Sequence, residues 1–228
     1  MLAFHNKDEI KTEYLARVRA HEVADEIIHG KYWENGKGCA VGCTIHSDQH
    51  SAYETELGIP LILARLEDRI FEGMANGYSK QFPARFLSAI AVGADLSMVW
   101  PRFAVWLLVD EQHGVIRFTK KNSRQWTAIH RVAELYSNLE SWDKRDKKAF
   151  RAAYATAAAA AAYATAAAYA AYAAYAAAVY ATDAAAAAAA YAAAAAAAAA
   201  TDAAAAANTR KKSYKTQADK LLELLAAA

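Results

Sequence analysis

The chain has 228 residues, and its 26 Lys and Arg against 24 Asp and Glu give a formal net charge of +2. This balance excludes a strongly basic nucleic-acid-binding domain and an acidic disordered tail, so nucleic acid is not an expected partner. Two cysteines are too few for a disulfide framework. Because the first residues, MLAFHNKDEIK, lack the apolar core of a signal peptide, we expect a cytoplasmic protein.

Composition divides the chain into three parts. Residues 1–150 have a mixed composition with all five tryptophans, and they are long enough for one buried core. Residues 151–207 contain 42 alanines in 57 positions, and residues 208–228 form a short basic, leucine-rich tail. Alanine is the strongest helix former. The pattern therefore predicts an all-α fold, with a helical domain followed by a long Ala/Tyr-rich helix or helical hairpin and an amphipathic C-terminal helix.

Capping residues, prolines and glycines predict the helices of the first part in chain order. The first helix is expected to begin at Asn6 or Asp8 and to end at Gly30. Further helices are expected over residues 60–77, 83–91 and 98–109, the last after an Asp95 cap, and a final one from Asn122-Ser123. Residues 115–118 are expected to be a short extended piece, and no β-hairpin is predicted.

The Ala/Tyr-rich block carries no charge between residues 152 and 182. A membrane span is not expected, because alanine is barely apolar and the block lacks Leu, Ile and Phe. A straight helix of this length would be about 86 Å long, at ~1.5 Å per residue. The chain is therefore expected to fold back near Thr182-Asp183 or Thr201-Asp202, or its helices are expected to assemble a homo-oligomer. All tyrosines of the block except Tyr163 lie on one broad side of the predicted helix.

Residues 36–60, GKGCAVGCTIHSDQHSAYETELGIP, hold both cysteines and two of the seven histidines. Thiolates and imidazoles are common ligands of transition metals. The segment therefore predicts a divalent transition metal as cofactor, with four candidate ligands: Cys39, Cys43, His46 and His50. Their spacing, C-x3-C-x2-H-x3-H, is not that of a zinc finger. Glu54 lies one helical turn after His50 and extends the candidate set.

Three other interpretations of this segment stay open. Positions 39, 43, 46, 50, 53 and 57 follow the spacing of one buried helix face, which is typical of a core stripe without a chemical role. The amides of Gly38 and Gly42, with the charge of Lys37, are typical of a loop that binds a small anion. A thiol nucleophile at Cys43 is a further alternative, although the spacing matches no known thiol-enzyme signature.

Two other helices supply companions for this segment. On the first helix, His21 and Asp25 lie one turn apart, as either a satisfied core pair or an oriented catalytic imidazole. On the helix after Pro60, Glu67 is expected either to face His21 or His50 across the core or to reach solvent. The candidate catalytic residues are therefore His50, Glu54, His21 and Asp25. The candidate ligand-binding residues are Lys37, Gly38, Gly42 and Glu67.

The segments GCAVGCTIHSDQHSAYETELGIP and LARLEDRIFEGM, followed by the Ala/Tyr-rich region, resemble a family of prokaryotic and phage-type proteins. The resemblance covers most of the chain and implies a bacterial or viral source, without implying an activity. The leading hypothesis is a binding protein for a small anionic ligand or a metal, held where residues 36–60 meet the first helix and assembled through the Ala-rich helices. The alternatives are a metal-assisted hydrolase that uses the same Cys, His and Glu residues, and a purely structural oligomeric protein.

Overall fold

The structure, a computed structural model, describes residues 1–140, 144–160, 184–199 and 203–228. Helices dominate these ranges, so the predicted all-α class is confirmed. In chain order the α-helices are α1 (Asp8–Val23), α2 (Ala40–Ile45), α3 (Ala52–Leu57), α4 (Leu61–Gly73), α5 (Asn76–Ser79), α6 (Phe82–Ala89), α7 (Val99–Val109), α8 (Arg124–Ser137), α9 (Lys147–Ala160), α10 (Ala184–Ala199) and α11 (Ala203–Ala226). Short 3-10 helices cover Ala3–Asn6, Leu96–Met98 and Val115–Phe118.

The first helix is shorter than predicted. α1 begins at Asp8, as expected, but it ends at Val23 rather than at Gly30. Asp25 adopts a left-handed backbone conformation, with a φ of 57°, which cannot continue a right-handed helix. The next residues run beside Gly38, whose amide donates to the carbonyl of Glu26. This extended path brings the chain back to the segment that holds the cysteines.

A small β-hairpin, which the sequence analysis did not predict, precedes the cysteines. Strand β1 (Trp33–Glu34) pairs antiparallel with strand β2 (Lys37–Gly38). Asn35 and Gly36 form the turn, with φ of 52° and 82°. An Asn-Gly pair is favoured in two-residue hairpin turns, because both of its residues tolerate positive φ. The hairpin holds the backbone of residue 32 against α2.

α4 is the central helix of the described residues. It begins directly after Pro60, close to the predicted start, and it ends a few residues before the predicted end. It contacts α2, α3 and α6 from the first half of the chain, and α10 and α11 from the last part. At its end, Gly73 leaves room for the ring of Tyr214 on α11, since an added Cβ would lie 2.1 Å from that ring. Both parts of the chain therefore fix the position of this helix.

α7 and α8 pack against each other, and α9 packs on α8. Asp95 and Ser123 each accept a hydrogen bond from a backbone N–H of the turn that follows. Asp95 caps the 3-10 helix Leu96–Met98 rather than α7 itself, and Ser123 caps α8 at its predicted start. Residues 115–118 form a 3-10 helix rather than the expected extended piece. Between α7 and α8, the indole of Trp100 donates to the Tyr136 hydroxyl at 3.2 Å.

The Ala-rich helix α10 packs against other helices of the same chain. It contacts α4, α7 and α11, and its alanines are buried at residues 189 and 192–197. Small side chains let neighbouring helices approach closely. The contact between α10 and α11 is the predicted fold-back, although the Thr201-Asp202 pair at this point lies outside the described residues. Thr182-Asp183 also lies outside the described residues, as do five tyrosines of the block, at positions 163, 169, 172, 175 and 180.

The last helix crosses the predicted boundary between the Ala/Tyr-rich block and the basic tail. α11 begins at Ala203, within the block, and continues to Ala226. Among the described residues, every helix is too short or too polar to cross a bilayer.

Candidate functional site

The cysteine and histidine segment does not form one continuous helix, so the predicted core stripe is interrupted. Cys39 precedes α2 and caps it, since its sulfur accepts from the amide of Gly42. His46 ends α2 in a left-handed conformation, with a φ of 52°, and His50 lies in the turn before α3. Because the chain changes direction at His46, the four predicted metal ligands do not meet. Cys39 and His50 lie near α4, whereas Cys43 and His46 have other partners.

The two cysteines are both fully buried, but their thiols face different partners. The Cys43 thiol donates to the carbonyls of Gly38 and Glu26, at 3.4 and 3.6 Å. Burial raises the pKa of the Cys43 thiol to about 12, whereas a thiol nucleophile needs a lowered pKa. This geometry favours a packing role for Cys43. Cys39 instead lies against two carboxylates of α4.

His46 and His21 form a pair where the predicted segment contacts the first helix. Their Nε2 atoms are 2.8 Å apart, and Nδ1 of His21 is 2.6 Å from a carboxylate oxygen of Glu26. The His46 ring stacks on Trp33, with the ring centroids 4.5 Å apart. Desolvation lowers the pKa of His46, and the charges of Arg17 and His21 lower it further. Glu26 therefore orients the His21 ring, and the other face of the contact, Nε2 of His21, meets His46.

Asp25 is not the carboxylate that orients His21, so this part of the prediction is wrong. The prediction assumed helical spacing, but α1 ends at Val23. Asp25 forms an ion pair with Lys80 instead, and its side chain is largely exposed. Glu26, the next residue, has the role that was expected for Asp25.

A cavity of about 480 Å³ opens beside α4. It is lined by the residues before the hairpin, by the turn before α3 and by α4: Gly30, Lys31, Tyr32, His50, Arg65, Asp68, Arg69 and Glu72. The Cys39 sulfur and one carboxylate oxygen each from Asp68 and Glu72 lie within 4.8 Å of one another. His50 adds a nitrogen, since its Nε2 is 3.4 Å from Oδ2 of Asp68. We name these four residues, Cys39, His50, Asp68 and Glu72, the donor cluster.

The donor cluster is largely removed from water. Cys39 is fully buried, and the side chains of His50 and Asp68 are 15% and 14% exposed. Burial and the Asp68 carboxylate raise the pKa of the Cys39 thiol, and the same two causes raise the pKa of Glu72. Glu72 accepts from the amide of Gly30, at 3.0 Å to each oxygen. Oδ1 of Asp68 is buried and has no hydrogen-bond partner within the described residues.

Gly38 and Gly42 serve close packing rather than anion binding. An added Cβ would lie 2.1 Å from the Tyr32 carbonyl oxygen at Gly38, and 1.6 Å from it at Gly42. The amides of both glycines already donate to acceptors within the chain. The predicted loop of free amides is therefore not formed, and Lys37 is an exposed side chain of the hairpin.

The two predicted glutamates also have other partners. Glu54 accepts from the amide of Leu61 at 3.0 Å, at the start of α4. Glu67 is fully buried and accepts from the Tyr53 hydroxyl at 2.8 Å. Its other oxygen has no hydrogen-bond partner within the described residues, and burial raises its pKa well above the usual range. Neither residue lines the cavity; the carboxylate near His50 is that of Asp68.

Sequence reasoning missed the carboxylates of the donor cluster. Asp68 and Glu72 are four residues apart on α4, a spacing that places two side chains on the same helix face. The sequence does not show which face of α4 meets the cysteine segment. The sequence pattern predicts Glu67 as the carboxylate that faces His50. Asp68 is the next residue, and its side chain is rotated by about 100° around the helix axis relative to that of Glu67.

Comparison of the chain with protein-family models, with curated proteins and with solved structures found no match. What the site does must therefore be inferred from its own geometry.

Proposed function

We propose that the chain binds a divalent transition metal, of which zinc is the best fit, through Cys39, Asp68 and Glu72. The observation that carries the proposal is the convergence of three donor atoms, from two separate parts of the chain, within 4.8 Å. The proposal keeps the hypothesis of a metal-binding protein. It moves the site from the first helix to α4. Of the four expected ligands it keeps only Cys39, and it adds Asp68 and Glu72.

The donor types support zinc over other common cations. Thiolate, imidazole and carboxylate are the usual protein ligands of zinc, at bond lengths of about 2.0–2.3 Å. Donor atoms around such a tetrahedral ion are about 3–4 Å apart, so the three atoms need to approach one another by only about 1 Å. Magnesium and calcium prefer oxygen ligands, and a buried sulfur disfavours them.

The charges of the donor cluster also support a cation. Asp68 and Glu72 bring two carboxylates into a desolvated place, and Oδ1 of Asp68 lacks a hydrogen-bond donor within the described residues. A buried carboxylate oxygen without a partner destabilises the fold by about 1–3 kcal/mol, even though His50 lies beside the other oxygen of Asp68. A divalent ion supplies that partner, and it also stabilises the deprotonated form of the Cys39 thiol.

A zinc titration of the chelator-treated, full-length protein tests the proposal. We expect about one zinc per chain, and we expect Cys39→Ser to weaken zinc binding by more than about tenfold. The matched control is Cys43→Ser, which changes the same residue type at the same burial but outside the donor cluster. Equal zinc affinity of the wild type and Cys39→Ser would refute the proposal, and so would equal losses in the two serine variants.

Cobalt gives a second readout that depends on the sulfur ligand. A thiolate bound to Co²⁺ produces a near-ultraviolet charge-transfer band. We expect this band in the wild type and in Cys43→Ser, and we expect it to be absent in Cys39→Ser. A band that persists in Cys39→Ser would mean that Cys39 is not a ligand.

A metal-assisted hydrolase is the second candidate function, because the donor cluster borders an open cavity. Catalytic zinc sites have three protein ligands and one position for water, whereas structural sites are closed by four. His50 lies beside Asp68, with its Nε2 3.4 Å from Oδ2, and it would be the candidate to exchange a proton with a water on the metal. Hydrolysis of a nitrophenyl phosphate or acetate by the zinc-loaded protein, lost in His50→Gln with zinc retained, would support this candidate. No hydrolysis of either probe would count against it.

A further inference from the structure

We infer that the cavity binds the phosphate group of a small ligand, between the metal of the donor cluster and the guanidinium of Arg65. The inference rests on the metal site proposed above and names the ligand class of the same cavity.

Arg65 is a cation that lines the cavity. It is half-buried, and it forms no hydrogen bond or ion pair within the described residues. The other charged groups of the cavity differ in this respect, since Lys31 pairs with Glu34 and His50 faces Asp68. A guanidinium that is partly withdrawn from water gains most from an oxyanion, which accepts two parallel hydrogen bonds from it.

Tyr32 adds a second donor at the same cavity. Its ring lies edge-on to His50, with the centroids 5.3 Å apart. Its phenol is within electrostatic reach of both Asp68 and Arg65, and it has no hydrogen-bond partner within the described residues. Tyr32 is 54% exposed, and its phenol hydroxyl can donate one hydrogen bond to a ligand in the cavity. The cavity therefore presents two donors that have no acceptor within the described residues.

A phosphate group fits these groups better than a carboxylate. Its three terminal oxygens are enough to meet the metal, Arg65 and Tyr32 together, whereas a carboxylate has only two oxygens. With the metal bound, the charges of the ion and of Arg65 and Arg69 exceed those of the thiolate and the two carboxylates. The loaded cavity is therefore positive. Its volume of about 480 Å³ also lies within the usual range of small-molecule sites.

The test is a calorimetric titration of the zinc-loaded, full-length protein, freed of excess zinc, with inorganic phosphate as the probe. We expect Arg65→Gln to weaken phosphate binding by about tenfold or more. Tyr32→Phe removes only the hydroxyl and is expected to cause a smaller loss. The matched control is Arg102→Gln, which removes an exposed arginine of α7 that does not line the cavity and is expected to leave phosphate affinity unchanged.

Two further measurements keep the result interpretable. Zinc content and melting temperature are measured for every variant, so that loss of metal or of fold is not mistaken for loss of phosphate binding. Arg65→Lys keeps the charge but not the paired donors, and it is expected to bind phosphate with intermediate affinity. If Arg65→Gln fails to fold, this variant decides the role of Arg65, and wild-type affinity in Arg65→Lys then counts against the inference.

The remaining outcomes separate the inference from the metal site. Equal phosphate affinity in the wild type and Arg65→Gln overturns the inference, and so does acetate binding as tightly as phosphate. If zinc binds and phosphate does not, the phosphate site is wrong while the metal site stands. If zinc does not bind, or if phosphate binds equally with and without zinc, the metal takes no part and the inference is wrong as stated.

Discussion

Replacing Gly42 by alanine separates the two roles that this glycine could have. An anion-binding loop would tolerate a methyl group that points away from the ligand, and only ligand affinity would change. In the structure, the added Cβ would lie 1.6 Å from the Tyr32 carbonyl oxygen and 2.6 Å from the carbonyl carbon. Both are backbone atoms, so no side-chain rotation removes the overlap. We therefore expect Gly42→Ala to destabilise the fold without any ligand present.

The loss of stability in Gly42→Ala is estimated from how far the Tyr32 carbonyl must move. A non-bonded carbon and oxygen are normally about 3.5 Å apart, so the carbonyl of Tyr32 must move by almost 2 Å, with an overpacking cost of about 1–3 kcal/mol. This movement breaks the weaker of the two hydrogen bonds of the Cys39 amide, 3.2 Å to Tyr32 against 2.7 Å to Lys31, which adds at most about 1 kcal/mol. The higher helix propensity of alanine returns at most about 1 kcal/mol. The two smaller contributions roughly cancel, so we expect the free energy of unfolding to fall by about 1–3 kcal/mol.

The assay is urea unfolding followed by circular dichroism and tryptophan fluorescence. A loss of this size lowers the melting temperature by about 2–12 °C in a chain of this length. Gly77→Ala is the matched control, because a Cβ at Gly77 meets no atom within 4 Å and the residue also lies in a helix. If Gly42→Ala unfolds within about 0.5 kcal/mol of the wild type, the packing role assigned to Gly42 is wrong.

Three other predictions concern the rest of the molecule. Burial raises the pKa of Glu67 well above 4.5, so its contribution to stability is complete below pH 4.5 and is lost as the pH rises towards the folded-state pKa. Urea unfolding should therefore show Glu67→Gln gaining on the wild type above pH 4.5, by up to about 1.4 kcal/mol per pH unit; a constant difference would contradict this. His46 has the opposite sign: its pKa lies below 6.5 in the folded state, so stability falls as the pH drops through 6.5. Acid unfolding of His46→Gln should show a weaker pH dependence in this range, and an unchanged profile would contradict the desolvation of His46. Deleting residues 203–228 uncovers α4, and should lower the melting temperature rather than change only the mass of an oligomer, as size-exclusion chromatography and thermal unfolding would show.

The helices were predictable where local signals coincide with the fold. The caps at Asp95 and Ser123 and the start after Pro60 depend on residues within one turn, and the structure has them. The hairpin was also predictable, because Asn35-Gly36 is a strong local turn signal that was overlooked. The end of α1 was not, since nothing in residues 24–29 forbids a helix. That end depends on backbone hydrogen bonds to Gly38, which is distant in sequence from α1.

The donor cluster was only half predictable. Cys39 and His50 were identified from their chemistry, but so were Cys43 and His46, which the turn at His46 directs to other partners. Helical spacing assumed that one helix runs through the whole segment. Asp68 was not identified, because the rotation of α4 about its axis depends on helices packed against its far side. Such rotation is a property of tertiary packing, and residue spacing does not contain it.

The packing of α10 and α11 on α4 has a consequence for how the protein is made. Gly73, the last residue of α4, precedes Ala184, the first of α10, by 111 positions. During synthesis, the ribosome therefore adds more than one hundred residues after α4 before its covering helices exist. N-terminal parts generally fold first, and contacts between distant residues form late. The nascent chain can thus form the hairpin and α2 early, while the ends of α4 stay uncovered. The contacts of α10 and α11 with α4 are therefore among the last to form.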